Sequence, residues 1–276
     1  VEFLKEKLPS NLMQYNKIIS KINSTDKNIE LIFKDHSLTT CDYLIVSDGI
    51  FSLTKSLISN KDIKPKYFNS IAIRGTINKK NLINIDHTNI SLFLGSNFHS
   101  VIYPVGKDTE FNFIGVLRKN LNVDQLQDYS LFNNEKFISS IIYELSRKIN
   151  QNILKNLKDI KCFPIFISDQ IYKPNQNNIF LIGDAFFAFP PTFAQGASQS
   201  IEAAFDLYEM IENNSGEFIK KRIEKTKMIN NRSKFNYFAF HISNPLMTFV
   251  RDLSMKYLVK NQKFIDSYLG KIYKSK

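Results

Sequence analysis

The chain has 276 residues, 43% hydrophobic and 23% charged, with a formal net charge of +11. These are the values of an ordinary globular protein, long enough for one large domain or two modest ones around a real core. Its two cysteines, Cys41 and Cys162, stand far apart and outside any CxxC. They therefore exclude a disulfide framework and a zinc site, point to a reducing compartment, and leave no metal site to expect. The lysines are scattered, and no interleaved aromatic and basic motif stands out, so the positive charge implies no nucleic-acid partner.

At the N-terminus, Glu2 to Leu8 is a short helical pattern closed by Pro9, and it does not read as a signal peptide. The segments 16–23 (NKIISKIN) and 28–34 (NIELIFK) alternate like a hairpin, with Ser24-Thr25-Asp26 as the turn. DYLIVS, 42–47, is an apolar run of the buried parallel type. It leads into Asp48-Gly49, where Asp48 is placed to cap a helix, Gly49 to make a tight turn, and 52–58 to form the helix. SIAIRGTI, NISLFLGS, HSVIYPVG and EFNFIGVLRK follow as strand-like runs, which predicts a mostly antiparallel sheet. A helix is expected over 134–149, with Phe137, Ile138, Ile141, Ile142, Leu145 and Ile149 on its apolar face. Strands are expected at 160–166 and 178–182, and a long helix from about Gly196. Two or three more helices follow, broken near Asn213-Asn214 and at Pro245, and no apolar run is long enough for a transmembrane helix.

Two stretches carry chemistry. In FLIGDAFFAFPPTFAQGASQS, a strand ends in Gly183-Asp184 and a loop leads to a helix N-terminus at Gly196. Backbone N–H groups and the positive end of a helix dipole would gather there. Asp184 would repel a phosphate but accept hydrogen bonds from a polyol, while Gly196, Ala197 and Ser198 keep the first helical turn open. Helix capping by Asp184 and a simple turn at Gly196 would equally fit the spacing alone. The second stretch is Asp48-Gly49-x-x-Ser52-x-x-Lys55 after the strand DYLIVS.

Taken together and in this order, with a sheet-rich insertion between them, these motifs resemble those of single-component FAD-dependent aromatic monooxygenases. The first resembles that family's DGxxSxxR. Gly183-Asp184-Ala185 through Pro190, Gln195-Gly196 and Ile201-Glu202-Ala203-Ala204 resemble its GD motif. The resemblance is nearest to the salicylate-hydroxylase-like and ubiquinone-biosynthesis-hydroxylase-like branches and covers nearly the whole chain. It implies an α/β (α+β) fold: an incomplete FAD-binding Rossmann-like domain with an inserted, mostly antiparallel substrate-domain sheet and C-terminal helices. The expected segments are 1–64 for part of the FAD-binding domain and 65–170 for the substrate sheet and helix. Segment 171–214 would return to the FAD-binding domain, and 215–276 would form the C-terminal helices.

The resemblance further implies FAD as cofactor, NADH or NADPH as reductant, and hydroxylation of a small aromatic or phenolic substrate. Asp184 would hold the ribityl hydroxyls; Gly183 belongs to the same turn. Pro190, Gln195, Gly196 and Ala197 would line the flavin ring, and Asp48 and Gly49 would lie near the pyrophosphate and the nicotinamide path. Arg74 is the cation expected to meet a substrate carboxylate or phenolate, with Tyr103 on the same substrate wall. Which of Phe98, Tyr103, Phe111 and Phe113 face that wall decides the pocket. No residue reads as a general base, and His87, His99 and His241 read as surface or core histidines.

Three departures qualify this expectation. Phe187 stands where the family has His, and Lys55 stands where it has Arg, which makes bidentate contacts that Lys cannot. No GxGxxG is present among the nine glycines. The chain therefore reads as N-terminally truncated and is expected to hold FAD weakly or not at all on its own. A ubiquinone-precursor hydroxylase of the same fold, or a non-catalytic binding remnant, are the alternatives. A cytoplasmic protein is expected. The basic C-terminal helices, 249–268, suit peripheral contact with a membrane, and nothing in the sequence sets an oligomeric state.

Overall fold

The computed structural model describes residues 2–25, 28–105, 109–213, 217–270 and 272. Along the chain, α1 (Glu2–Glu6) and a 3-10 turn (Ser10–Leu12) precede a three-stranded meander of β1 (Ile19–Ser24), β2 (Ile29–Phe33) and β3 (Leu38–Cys41). Then come β4 (Leu44–Val46), α2 (Leu53–Ser59), and the strands β5 (Lys66–Asn78), β6 (Ser91–Gly95), β7 (Phe98–Val105) and β8 (Glu110–Arg118). The helices α3 (Val123–Gln127), α4 (Glu135–Ser146) and α5 (Gln151–Lys155) lead to β9 (Lys158–Ile167) and β10 (Ile179–Leu181). The chain continues with α6 (Gly183–Phe186), α7 (Gly196–Asn213), α8 (Phe218–Phe240), α9 (Pro245–Leu258) and α10 (Gln262–Ile265).

The described residues form two compact units. The first comprises Val1–Pro65, Ser168–Ala188 and Gly196–Ser215; the second comprises Lys66–Ile167, Phe189–Gln195 and Gly216–Lys276. The expected boundary at 214/215, the helix break at Asn214 and the turn residue Asp26 lie outside the described residues.

In the first unit, β4 and β10 pair in parallel from Leu44 opposite Ile179 to Val46 opposite Leu181. All three residues of β10 are buried, but β4 alternates, with Ile45 exposed between Leu44 and Val46. DYLIVS is thus not buried on both faces as its composition suggested. The expected hairpin is there, and β3 extends it by pairing with β2 from Ile29 opposite Cys41 to Ile32 opposite Leu38. LTTC lacks the apolar alternation that would mark it as a strand: only Cys41 is even half-buried.

In the second unit the sheet order is β6-β7-β8-β5-β9, antiparallel throughout. One face carries Ile71, Ile73, Ile77, Phe98, Ile102, Phe111, Phe113 and Leu117, and it packs with Ile141 and Leu145 of α4 and Ile153 and Leu154 of α5. Each fully buried side chain of this size contributes about 1.5–3 kcal/mol. α4 forms where the apolar spacing predicts it, and its N-cap Asn134 accepts from the Phe137 N–H at 3.1 Å. On the other face a smaller cluster gathers Val116, Ile165 and Ile167 with Phe68, Ala72 and Ile114.

Candidate functional site

Six of the ten residues singled out in the sequence lie in the first unit: Asp48, Gly49, Gly183, Asp184, Gly196 and Ala197. Arg74, Tyr103, Pro190 and Gln195 lie in the second, the last two buried. Each group is described within its own unit.

The parallel register of β4 and β10 puts their carboxyl ends side by side, and the Ile182 N–H donates to the Val46 carbonyl at 3.0 Å. The Asp48-Gly49 and Gly183-Asp184 turns therefore leave the same end of one strand pair, where open α/β sheets bind their ligands. Both glycines sit at positive φ, 83° at Gly49 and 58° at Gly183, in the left-handed region that favours glycine. At Gly183 space is limiting as well: a Cβ would lie 2.9 Å from Ser200 Oγ. So α7 seats its first turns directly on this turn, through a serine that the sequence motif did not mark.

Asp48 does not cap α2. The cap is Ser52, whose hydroxyl accepts from the Lys55 N–H at 2.9 Å, while Asp48 Oδ2 accepts from the Thr54 N–H at 3.2 Å. Asp48 thus lies too early for the cap position but still holds a donor of the first turn. Lys55 is 5% exposed, and its ammonium donates to the Ala185 carbonyl at 3.2 Å. That bond ties the first motif to the second. Burial pulls the Lys55 pKa down, and the charge of Asp48 partly opposes this.

Asp184 does not cap a helix either. It sits within the one-turn α6, whose N-cap is Ile182 without a side-chain hydrogen bond. Its carboxylate opens to solvent and has no hydrogen-bond partner among the described residues, yet surrounding protein desolvates it enough to raise its pKa. At Gly196, the first residue of α7, a Cβ would meet nothing within 4 Å. Phe187, in the position where His was expected, is buried.

In the second unit, Arg74 is exposed on β5, on the face opposite the α4–α5 layer, and makes no hydrogen bond or ion pair among the described residues. Of the four aromatics that could have faced this side, Phe98, Phe111 and Phe113 are core residues of the other face. Tyr103 alone remains, directly opposite Asn112, whose Nδ2 donates to the Tyr103 hydroxyl at 2.6 Å. In the sequence, Asn112-Phe113 marks the substrate sheet but Asn112 has no role of its own; its signal is a polar residue alternating between Phe111 and Phe113. His99 and His241, read from the sequence as surface or core histidines, are both buried, and they pair 2.7 Å apart from Nδ1 to Nε2, which the sequence did not show. Burial pulls His99 down to about 4 and His241 to about 3, so both rings are neutral. His241 Nδ1 has no hydrogen-bond partner among the described residues. No group of three or more metal-ligating side chains occurs among the described residues.

No protein-family model matches the chain. It is 23% identical over 212 residues to 6-hydroxynicotinate 3-monooxygenase of Bordetella bronchiseptica, covering 74% of this chain and 53% of that protein. It is 24% identical over 234 residues to salicylate hydroxylase of Pseudomonas putida, covering 76% and 52%. Among solved structures, Klebsiella pneumoniae HpxO in complex with FAD and uric acid matches with a TM-score of 0.76 at 16% identity, over 99% of this chain and 70% of that one. The chain spans about half the length of the curated relatives it matches. The resemblance carried by the two motifs thus holds across the chain, which is similar in sequence to the flavin-dependent aromatic monooxygenases and shares their fold.

Proposed function

We propose that this chain is part of an FAD-dependent monooxygenase that uses NADH or NADPH to hydroxylate a small aromatic or phenolic substrate. The observation that carries the reading is the Gly183-Asp184 turn. A carboxylate without a partner among the described residues stands at the carboxyl end of a parallel strand pair, beside a glycine turn against which Ser200 of α7 packs. That arrangement fits the ribityl hydroxyls of FAD, which donate to a carboxylate in charge-assisted bonds. When bound, FAD supplies hydride acceptance from the nicotinamide and activation of dioxygen. The chain's own residues do the rest. Asp184 holds the polyol, the open backbone of Gly196 and Ala197 lets a flat ring approach, and Lys55 fixes the two turns to each other. Within the second unit, Arg74 and Tyr103 offer donors to the substrate's oxygens.

Flavin fluorescence, excited where the protein does not absorb, reads binding directly. Titration with FAD should show weak, saturable binding that Asp184→Ala lowers about tenfold, the value of one charge-assisted hydrogen bond. With FAD in excess, salicylate should stimulate NADH oxidation. Equal FAD binding by the Asp184→Ala variant, or NADH oxidation that ignores phenolic compounds, refutes the reading.

A specific observation also favours contact with an anionic membrane surface. Leu246, Phe249, Val250, Leu253 and Tyr257 form one stripe of α9, each between 54% and 72% exposed, with Lys256 and Lys260 at its margin. A stripe of this kind lies in a lipid interface with lysines on anionic headgroups. Among the described residues no helix is long and apolar enough to cross a membrane. Sedimentation with phosphatidylglycerol vesicles, lost on Leu253→Glu, supports the contact; equal recovery with neutral vesicles, or none, overturns it.

A further inference from the structure

We infer that Asn112 is a positioning residue that fixes the Tyr103 hydroxyl as a hydrogen-bond donor toward the substrate. The inference rests on the aromatic-substrate reading above and deepens it. Asn112 is 9% exposed and stands between Phe111 and Phe113, whose rings are buried on the opposite face of β8. A buried amide is costly unless it is hydrogen-bonded. Here its Nδ2 donates to the Tyr103 oxygen at 2.6 Å, across a directly opposed pair of β7 and β8.

The polarity of that bond has a consequence. A phenolic hydroxyl has one proton and acceptor capacity on its oxygen. Asn112 occupies the oxygen, so the proton cannot be spent on Asn112 and is left to donate to a ligand. Tyr103 and Arg74 lie on the same face. Arg74 is opposite Ile114, two residues along β8 from Asn112, and its guanidinium offers donors only. The neighbouring hydroxyl of Thr76 is turned to Asp159 at 3.4 Å. Tyr103 and Arg74 are therefore both donors on this face, and Lys161, directly opposite Arg74, is a third. They suit an aromatic compound that brings a phenolate or carboxylate oxygen and disfavour one that brings an ammonium or amine. Without Asn112 the Tyr103 hydroxyl is free to rotate, and with an acceptor at 112 its proton is drawn away from the ligand.

The test uses 4-nitrophenol, whose phenolate absorbs where the neutral phenol does not, so binding and ionisation of the bound probe are read together. The chain should bind it with the phenolate favoured relative to solution. Asn112→Asp, close in size but an acceptor, should reverse the polarity, weaken binding about tenfold and return the bound probe toward the neutral phenol. Asn112→Leu should weaken binding without that reversal. In a Tyr103→Phe background, Asn112→Leu should change affinity less than about twofold, because the two residues act as one. Tyr103→Phe alone, which leaves the sheet intact, should lose affinity comparably, so the inference stays testable even where a change at 112 prevents folding. A bound probe equally ionised in the chain and in the Asn112→Asp variant overturns the inference, as does an undiminished Asn112→Leu effect in the Tyr103→Phe background. Tighter binding of benzylamine than of 4-nitrophenol overturns it while leaving an aromatic ligand in place. A chain that binds no aromatic probe at all overturns the aromatic-substrate reading and the inference with it.

Discussion

Replacing Gly183 by alanine brings two separable costs. The first is backbone strain: at φ 58° the residue is in the left-handed region, which costs an L side chain about 1–2 kcal/mol. The second is steric. The new Cβ would lie 2.9 Å from Ser200 Oγ, closer than real contacts allow, but 3.5 Å from Ser200 Cβ, an ordinary van der Waals distance. Ser200 Oγ donates to the Gly196 carbonyl at 2.9 Å, so moving it aside sacrifices a bond worth about 1 kcal/mol. Together Gly183→Ala should destabilise the first unit by about 2–4 kcal/mol. In a Ser200→Ala background, where that bond is already gone, Gly183→Ala should cost only the backbone strain of about 1–2 kcal/mol. Because the chain has two units, one global unfolding curve would blur the effect. Amide exchange of β4, β10 and α7 peptides resolves it. A cost below about 0.5 kcal/mol, within the range of an ordinary surface substitution, or an equal cost of Gly183→Ala with and without the Ser200 hydroxyl, would refute the reasoning.

Other predictions concern charge. The pKa of Asp184 is raised above its unfolded value of 3.8, so the folded state holds the proton more tightly and the ionised carboxylate opposes folding above that range. Asp184→Asn should therefore raise the urea midpoint near pH 7 and leave it unchanged below 3.8, while weakening FAD binding. His99 and His241 fall from 6.5 to about 4 and about 3, so the unfolded chain binds more protons. Stability should be fully present above 6.5 and fall on acidification toward 4, with a slope approaching about 3 kcal/mol per pH unit for two protons; a His99→Phe/His241→Phe variant should flatten that limb. The Cys162 thiol, buried and pushed up to about 11, should resist a thiol reagent in the folded chain and react on unfolding, whereas half-buried Cys41 reacts first.

How much of this was legible depended on how locally each feature is specified. The strands of the large sheet and α4 were legible because one face of each is buried and the apolar period records it, as at Ile71, Ile73 and Ile77. β3 was not, because LTTC has no buried side to leave a pattern. β4 misled for the opposite reason: three consecutive apolar residues looked doubly buried, yet Ile45 is exposed among the described residues. The two turns were legible from glycine and aspartate at strand ends. Their mutual fastening by Lys55 was not, because residues 55 and 185 meet only through the parallel register of β4 and β10. Asn112 illustrates the same limit: alternation places it on the face opposite Phe111 and Phe113, but only the β7–β8 register shows that it meets Tyr103.

The strongest link between fold and function is the one the fold alone fails to explain. An aspartate in the first turn of a helix ordinarily repays its desolvation by accepting from backbone N–H groups. Asp184 accepts from none among the described residues, and partial burial holds its pKa up, so in the free chain its charge is a net cost. Asn would fill the same space without that cost, and Ser200 and Gly183 would pack unchanged. The carboxylate becomes favourable when donors arrive from beyond the described residues. A row of ligand hydroxyls is such a set of donors, whereas a phosphate or a second carboxylate would add repulsion. The stability gain expected of Asp184→Asn and the accompanying loss of FAD affinity are thus two readings of one unpaired charge.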